Sequence, residues 1–367
     1  MLHSLQASRA LAALVVVLHH TNHSIFEQAK YFGHAPLGCL VDFGFSAVDF
    51  FFVLSGFIIF YVHEQDIDQP RALPSYLWRR FSRIYLCYWV VLAAMTAGLF
   101  LVPQYGFAWQ RDPDVLVRSV LLLPHPESLL VLSVAWTMVY EVIFYLVFAV
   151  LVLDKRLGSV VLCGWAIGVV SYSWFDTYPW NFVFSHQHLR ILAGMAVAFV
   201  VRRWTIPWPR VVLGIGLALY TVLAVLENVN GHLPATMQIY GFTLSCAVII
   251  AGLVEAERSG LIGVPGWLVY FGDATLAIYL VHFPALSVLA KLSKTFLLDQ
   301  YLPSLVLLFL HVAGAIAAGC LVHHLVDKPL YTWSKRFCKR PKLAPALTVA
   351  EPENSEKEPV VTERRAA

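Results

Sequence analysis

Apolar stretches long enough to cross a lipid bilayer recur along almost the whole chain and are separated by short polar segments. A transmembrane helix needs about 20 predominantly apolar residues. The stretches that meet this requirement lie at residues 5–26, 43–62, 84–102, 133–153, 158–175, 187–204, 210–227, 236–254, 267–289 and 303–326. The pattern predicts an all-α, polytopic integral membrane protein with about ten transmembrane helices.

Two segments depart from this pattern. Residues 103–132 contain a short apolar run, residues 115–123, which cannot span a bilayer, so we interpret the segment as an outer loop with an interfacial helix. From Pro341 onward, Pro, Glu, Lys and small residues replace the apolar pattern, as is typical of disordered chain. The sequence therefore predicts a transmembrane domain at residues 1–340 and a disordered cytoplasmic tail at residues 341–367.

The composition excludes an ordinary water-soluble globule, because 59% of the residues are apolar and only 13% are charged. The six cysteines form no CxxC pair and mostly lie in apolar runs, which favours small apolar fillers over a disulfide framework or a metal site. Arg9 and the His19-His20 pair interrupt the first apolar segment, and no small-x-small cleavage site follows it. We expect this segment to be a retained helix rather than a cleaved signal.

The distribution of Lys and Arg indicates the orientation. If the N-terminus is cytoplasmic, the predicted inner loops and tails hold 20 of the 26 Lys and Arg residues and the outer side holds 6. Inner loops of membrane proteins carry an excess of these residues. The sequence thus predicts that both termini are cytoplasmic.

The first predicted helix carries two ionisable residues on one face. Arg9 and His20 are eleven residues apart, which is close to three helical turns and a rise of about 16 Å. An ionisable side chain at membrane depth costs about 2.5–3.5 kcal/mol on insertion scales and therefore indicates a functional site. The alternative is that His20 is a neutral imidazole that hydrogen-bonds a neighbouring helix.

Other ionisable residues lie at overlapping depths in the predicted spans. Asp49, Glu141 and His282 are placed, like His20, between the outer surface and the midplane. Asp49 is a lone carboxylate and needs a partner. Glu141 and Tyr145 belong to a polar stripe with a four-residue period. We regard His20, Glu141 and Asp49 as candidate catalytic residues.

Four further residues could line a substrate path. They are polar or aromatic and lie beside the candidate catalytic positions: Ser55, Tyr140, Tyr145 and His282. For Ser55 and the following Gly56, plain helix packing is an equally good interpretation, because a glycine lets another backbone or a ligand approach closely.

Arginines gather at the predicted inner face. Arg80 and Arg83 are three residues apart, so their guanidinium groups converge on one patch of a helix. Such groups bind phosphate well and would suit a phosphorylated cytoplasmic ligand such as coenzyme A. Together with Arg9 they are the candidate donor-binding residues, and the alternative is positive-inside anchoring.

Metal and soluble-type nucleotide chemistry have no support in the sequence. His19, His23 and Glu27 follow one another at four-residue steps, which imitates a metal-ligand spacing, but a helix that leaves the membrane explains them better. The chain has no P-loop, no GxSxG motif and no paired CxxC. We therefore predict no metal and no nucleic-acid partner.

These residues occur in motifs that resemble those of the acyltransferase-3 family of membrane O-acyltransferases, especially its exopolysaccharide O-acetyltransferase branch. The resemblance runs from about residue 4 to residue 331. It is carried by Arg9 and, after ten residues, His20; by Val48-Asp49-Phe-Phe-Phe-Val-Leu-Ser55-Gly56-Phe57; by Arg80-Phe-Ser-Arg83-Ile84-Tyr85; by Trp136-Thr137-Met-Val-Tyr140-Glu141; and by Tyr279-Leu-Val-His282. The chain departs from the family pattern at Leu86, at His188-Leu189-Arg190 and at Asp327-Lys328-Pro329.

The resemblance implies a ten-helix enzyme of the bacterial inner membrane that transfers an acyl group from cytoplasmic acetyl-CoA to a carbohydrate hydroxyl. The acceptor would be a polysaccharide or a lipid-linked oligosaccharide. By the same resemblance, Arg9 and His20 are an essential pair, Arg80 and Arg83 contribute to the donor site, and Glu141 is an active-site carboxylate.

Two hypotheses follow. In the first, His20 acts as a general base on the acceptor hydroxyl or as a transient acyl carrier, with Glu141 or Asp49 fixing its tautomer. In the second, the chain is a proton-coupled transporter or flippase for lipid-linked sugars or small anions. Contacts with membrane lipids are expected in both, and the sequence leaves open the acyl group, the acceptor position and whether the chain forms homo-oligomers.

Overall fold

The computed structural model describes residues 2–337, and within them the chain is entirely helical and contains no β-strand. The predicted tail at residues 341–367 lies outside the described residues. The α-helices are α1 (His3–His19), α2 (Ala47–His63), α3 (Leu73–Leu101), α4 (Pro113–Leu121), α5 (Trp136–Leu153), α6 (Lys155–Val170), α7 (Trp180–Val183), α8 (Gln187–Arg203), α9 (Pro209–Asn230), α10 (Phe242–Arg258), α11 (Gly266–Thr295), α12 (Leu298–Tyr301), α13 (Ser304–Val322) and α14 (Lys328–Ser334).

The prediction of an all-α polytopic membrane protein is confirmed. Among residues 2–337, eight helical segments are long and apolar enough to cross a membrane: Gly38–Asp66, Pro70–Leu101, Ser133–Leu153, Trp180–Arg203, Pro209–Asn230, Met237–Arg258, Gly266–Thr295 and Ser304–Phe337. The other two predicted spans, 5–26 and 158–175, correspond to α1 with the π-helical segment that follows it and to the 16-residue α6, and neither is among these eight segments. The count of ten and the orientation therefore stay predictions.

Helix α3 begins well before the predicted residue 84. It starts at Leu73 with a proline in its first turn, where the missing N–H costs nothing, and its 29 residues extend about 43 Å. This length exceeds the hydrocarbon core of about 30 Å, so the helix continues beyond the membrane. The arginines that follow Trp78 thus lie on a helix, as expected for Arg80 and Arg83.

The segment at residues 103–132 contains a short amphipathic helix, as predicted. The carboxylate of Asp112 caps α4 by accepting a hydrogen bond from the backbone N–H of Asp114 at 2.8 Å. Arg118 pairs with the carboxylate of Asp114 at 2.7 Å and donates to the Tyr178 hydroxyl at 3.0 Å, and these hydrogen bonds raise the pKa of Arg118. The loop is thereby tied to the segment between α6 and α8.

Helices α2 and α8 are in close backbone contact. A Cβ atom built on Gly56 would lie 1.9 Å from the carbonyl oxygen of Ile191, and one built on Gly194 would lie 1.8 Å from that of Val53. Only glycine fits at both positions, so of the two interpretations of Gly56 the structure supports helix packing. At the far end of the same interface, Glu64 forms ion pairs with Arg202 and Arg203 on α8.

Helix α1 is held at its start and along its length. The carboxylate of Glu257 accepts hydrogen bonds from the backbone N–H groups of His3 and Ser4 at 2.8 and 2.7 Å. These N–H groups have no partner inside the helix, so the carboxylate caps α1 from outside it. Further along, Gly272 of α11 lies against the carbonyl of Gln6, where a Cβ would be 2.1 Å away. This packing fixes the position of α1 beside α11.

Candidate active site

Regular α-helix ends at His19, and the chain continues from His20 to Phe26 as a π-helix. A second π-helical segment, Met237–Gly241, precedes α10. Short π-helical segments occur frequently at functional sites. Both segments contribute residues to one cavity.

This cavity has a volume of about 380 Å³ and lies at the predicted outer end of the bundle. Its size falls within the range of about 300–1,000 Å³ that is usual for small-molecule sites. Ionisable, amide and aromatic side chains from eight helical elements line it, including His20, Asp49, Trp136, Arg190, Gln238 and Tyr279. The cavity thus combines polar groups with aromatic surface.

A chain of hydrogen bonds fixes the imidazole of His20. Nδ1 of His282 lies 2.6 Å from the carbonyl oxygen of Tyr279 and 3.2 Å from that of Ile278. A carbonyl can only accept, so His282 Nδ1 carries a hydrogen. Nε2 of His282 lies 2.9 Å from Nδ1 of His20, and the two rings stack at 17°.

The protonation pattern follows from these contacts. The contacts of the two rings include no carboxylate, and a buried charge without a partner is costly, so both imidazoles are best neutral. His282 Nε2 is then an acceptor, and the hydrogen between the rings belongs to His20 Nδ1. His20 Nε2 retains its lone pair and is the ring nitrogen left for the cavity that His20 lines. This is the form that a general base requires.

Helix α11 contains a proline next to this pair. Pro284 lies inside the helix, two residues after His282. A proline in a helix interior removes one backbone hydrogen bond and bends the helix. His282 was expected to line a substrate path, but its side chain is fully buried behind His20.

The position of Glu141 differs from the one expected. Its carboxylate accepts a hydrogen bond from the Tyr145 hydroxyl at 3.2 Å and lies within hydrogen-bonding reach of Ser55, and it has no described contact with His20. The reason is depth, because α5 begins at Trp136 and Glu141 is about 7.5 Å further along the helix. The expectation that Glu141 fixes the tautomer of His20 is therefore not met in this structure.

Arginines surround Glu141 on its other side. Arg9 interacts electrostatically with Glu141 and Arg83, and the guanidinium of Arg80 lies 5.8 Å from the ring centre of Tyr145. The Nε of Arg80 is buried and has no hydrogen-bond partner among the described residues. Arg9 itself donates to Oε1 of Gln6 at 3.2 Å. The three predicted donor-binding arginines thus lie in one part of the bundle, next to Glu141.

Tyr279 connects the cavity with this region. Its hydroxyl donates to the carbonyl of Val134 at 2.7 Å and lies 3.1 Å from the hydroxyl oxygen of Thr137, and its ring lines the cavity. It also interacts electrostatically with Glu141. Tyr279, Thr137 and Glu141 are half-buried.

Asp49 has a partner on α8. Its Oδ1 lies 2.6 Å from Nε of Arg190, and both side chains are almost completely buried. Asp49 therefore does not orient His20, contrary to the expectation, because its charge is taken up by the neighbouring helix. Both residues line the same cavity as His20.

Tyr140 points away from the cavity. Its ring stacks on Phe182 and contacts His188, with ring centres 5.8 and 5.4 Å apart. Tyr140 follows Val139 and precedes Glu141, so its side chain is rotated about 100° from that of Glu141. It is a packing residue between α5, α7 and α8 rather than a lining residue of the described cavity.

Two other features have little signal in the sequence. Arg190 belongs to a departure from the family motif, and no motif contains the pair of His63 and Asp66. Nδ1 of His63 lies 2.6 Å from Oδ2 of Asp66, and its buried Nε2 has no partner among the described residues. Such pairs can be recognised from a histidine and a carboxylate that are four residues apart, whereas His63 and Asp66 are three residues apart.

Two of the residues with metal-like spacing, His23 and Glu27, contact each other, and His23 also contacts Asp42. His23 Nδ1 lies 2.9 Å from Glu27 and its Nε2 lies 2.8 Å from Asp42. In the part of the chain that the structure describes, no group of three or more His, Cys, Asp or Glu side chains is arranged to hold a metal ion.

The chain is similar to known proteins over most of its length. A family model described as an acyltransferase domain matches residues 2–324. The chain is 24% identical over 320 residues to the exopolysaccharide production protein ExoZ of Rhizobium meliloti, which covers 83% of this chain and 94% of that protein. It is 27% identical over 163 residues to protein 2 in the picA locus of Rhizobium radiobacter, which covers 40% of this chain and 79% of that protein. No solved structure matches.

Proposed function

The chain belongs to the acyltransferase family, and on that premise we propose that it is a membrane-bound O-acetyltransferase. The acetyl group would come from acetyl-CoA on the cytoplasmic side of the bacterial inner membrane. The acceptor would be a hydroxyl of an exported polysaccharide or of its lipid-linked precursor. The similarity to a protein of exopolysaccharide production supports this class of acceptor.

The observation that carries the proposal is the contact between His20 Nδ1 and His282 Nε2, at the edge of the cavity that His20 lines. With Nδ1 donating to His282, Nε2 is the ring nitrogen that keeps a lone pair. Nε2 takes the proton of the acceptor hydroxyl as its oxygen attacks the thioester carbonyl. The carbon–sulfur bond then breaks, and the coenzyme A thiolate leaves and takes up a proton. His20 returns its proton to solvent or to the leaving group.

The arginines would hold the donor. A thioester is already activated, so the enzyme mainly has to position it and to stabilise the oxyanion. Arg9, Arg80 and Arg83 offer positive charge to the phosphates of coenzyme A, and the unpartnered Nε–H of Arg80 is available to an anionic oxygen. The carboxylate of Glu141 interacts electrostatically with Arg9 and Arg80 and would offset part of their positive charge.

Replacing His20 tests this proposal. The purified protein in lipid nanodiscs would be supplied with acetyl-CoA and with exopolysaccharide stripped of its acyl groups by mild alkali, and free coenzyme A would be measured. We expect His20→Ala to lower the rate by about 10²–10⁴-fold, the usual contribution of general acid–base catalysis. The matched control is His232→Gln, because His232 is exposed and lies outside the cavity.

The outcome also separates this function from transport. A transporter or flippase would not release coenzyme A, and acetyl-CoA would not raise its melting temperature. Wild-type activity in the folded His20→Ala variant would contradict the role of His20. Absence of acyl transfer by the wild type, with or without saccharide, would contradict the enzyme itself.

A further inference from the structure

The ion pair between Asp49 and Arg190 leaves a buried polar atom without a hydrogen bond on each side. Both residues are 4% exposed, and Nε of Arg190 lies 2.6 Å from Oδ1 of Asp49. Nη1 of Arg190 donates to Oε1 of Gln187 at 3.0 Å and to the carbonyl of His186 at 3.4 Å. Nε of Arg190 and the other oxygen of the carboxylate, Asp49 Oδ2, have no hydrogen-bond partner among the described residues.

A buried carboxylate oxygen without a partner requires an explanation. An ionised carboxylate can accept several hydrogen bonds, and nearly all buried polar atoms in proteins have at least one. If the pair only held α2 against α8, the loss of hydration at this oxygen would cost free energy that no hydrogen bond offsets. The same helices are also joined by close glycine contacts and by the ion pairs of Glu64, so they do not depend on Asp49 alone.

The location of Asp49 suggests what completes the pair. Asp49 and Arg190 line the same cavity as His20, and Trp136, Gln238 and Tyr279 line it too. A ligand that completes the pair from this cavity has to present a hydrogen-bond donor to Asp49. A cation would be repelled by Arg190 and an anion by Asp49, so a neutral hydroxyl fits the pair best. Aromatic rings beside a row of polar groups suit the apolar and polar faces of a sugar.

We propose that Asp49, held in place by Arg190, accepts a hydrogen bond from a hydroxyl of the acceptor saccharide, a hydroxyl different from the one that is acylated. This inference rests on the proposed function and goes beyond it, because it assigns the acceptor-binding group. Asp49 thereby fixes which sugar hydroxyl reaches His20. It is a specificity residue and does not take part in proton transfer.

The test removes both charges together. In Asp49→Leu/Arg190→Met, no unpaired buried charge remains, and such replacements often leave stability unchanged or improve it. We expect the KM for de-acylated exopolysaccharide oligosaccharides to rise about 10- to 100-fold, the effect of losing a hydrogen bond to a charged group. The KM for acetyl-CoA should stay the same.

The matched control is Glu64→Gln/Arg202→Gln. It removes an ion pair between the same two helices at the other end, outside the cavity. If Asp49 and Arg190 only held α2 against α8, both double variants would change the melting temperature and kcat without raising the KM for the saccharide. An unchanged saccharide KM in Asp49→Leu/Arg190→Met would overturn the proposal.

A measurement on the wild type covers the case in which the double variant does not fold. Methyl glycosides of the sugars in the polysaccharide, each lacking a single hydroxyl, would be compared as competitive inhibitors of acyl transfer. We expect weaker inhibition on loss of at least two hydroxyls, the acylated one and the one bound by Asp49. Sensitivity to the acylated hydroxyl alone would contradict the proposal, whereas failure of the wild type to transfer any acyl group would instead contradict the proposed function.

Discussion

Nε2 of His282 lies 2.9 Å from Nδ1 of His20, although 262 positions separate the two residues in the chain. Because His282 Nδ1 donates to the backbone of its own helix, its Nε2 can only accept from a neutral neighbour. One imidazole thus sets the tautomer of the other. In many hydrolases a carboxylate does this, and here the position is occupied by a neutral ring that adds no charge to the membrane interior.

The first prediction concerns His282 as a positioning residue. In His282→Phe an aromatic ring remains, but the acceptor for His20 Nδ1 is lost, so the hydrogen can move to Nε2 and block the base. We expect kcat to fall by about 100-fold or more, with little change in the KM for acetyl-CoA. Steady-state coenzyme A release measures both constants.

A conservative variant separates this role from packing. The amide oxygen of His282→Gln can accept from His20 Nδ1, so this variant should recover part of the lost kcat. The tautomer argument would fail if His282→Phe and the wild type had the same kcat. It would also fail if His282→Gln and His282→Phe had equally low kcat values and equally lowered melting temperatures.

The second prediction concerns Arg80. Its buried Nε–H has no described partner, so an anionic donor group gains a charge-assisted hydrogen bond there. We expect Arg80→Ala to raise the KM for acetyl-CoA about tenfold or more. Arg80→Lys should be intermediate, because an ammonium group lacks the planar fork of guanidinium. Isothermal binding of acetyl-CoA in nanodiscs gives an independent reading.

The control for Arg80 is Arg156→Ala. Arg156 is exposed and lies in α6 on the same predicted side of the membrane. Its replacement by alanine changes the net charge by the same amount as Arg80→Ala. A similar loss of affinity in both variants would indicate a long-range charge effect instead of a binding site.

Hydropathy predicted most of the fold, because the thickness of the bilayer fixes the length of a span. The predicted spans 133–153 and 187–204 differ from α5 and α8 by a few residues at their ends. The start of α3 was misjudged, because its first turns carry arginines and extend beyond the apolar part of the helix. Apolarity locates the membrane crossing, whereas helix propensity and capping decide where the helix begins.

The sequence predicted which residues form the candidate site but not which of them contact each other. Spacings of four and eleven residues place side chains on one face of a single helix. They do not indicate which other helix packs against that face. The partners of His20 and Asp49 are His282 and Arg190, which come from α11 and α8. Both pairings depend on how helices distant in sequence pack together, and a single sequence contains no direct record of that.

The third prediction concerns the glycines between α2 and α8. In Gly56→Ala the new methyl group would lie 1.9 Å from the carbonyl oxygen of Ile191, so one backbone must move. We expect a destabilisation of about 1–3 kcal/mol, typical of an overpacked core, and a similar loss for Gly194→Ala. Gly164→Ala is the control, because nothing lies within 4 Å of its Cβ position in α6. A melting temperature of Gly56→Ala equal to that of Gly164→Ala would contradict the close packing.

The fourth prediction concerns the cap on α1. Glu257 satisfies the backbone N–H groups of His3 and Ser4 and places a negative charge at the positive end of the helix. We expect Glu257→Ala to destabilise the protein by about 1–2 kcal/mol, the usual effect of losing a cap, and Glu257→Gln to lie in between, since one amide oxygen can still accept. Hydrogen exchange of the first turn of α1 should rise in parallel with the fall in melting temperature. Glu127→Ala removes an exposed carboxylate from a loop and should change neither quantity, so equal effects of the two alanine variants would exclude a capping role.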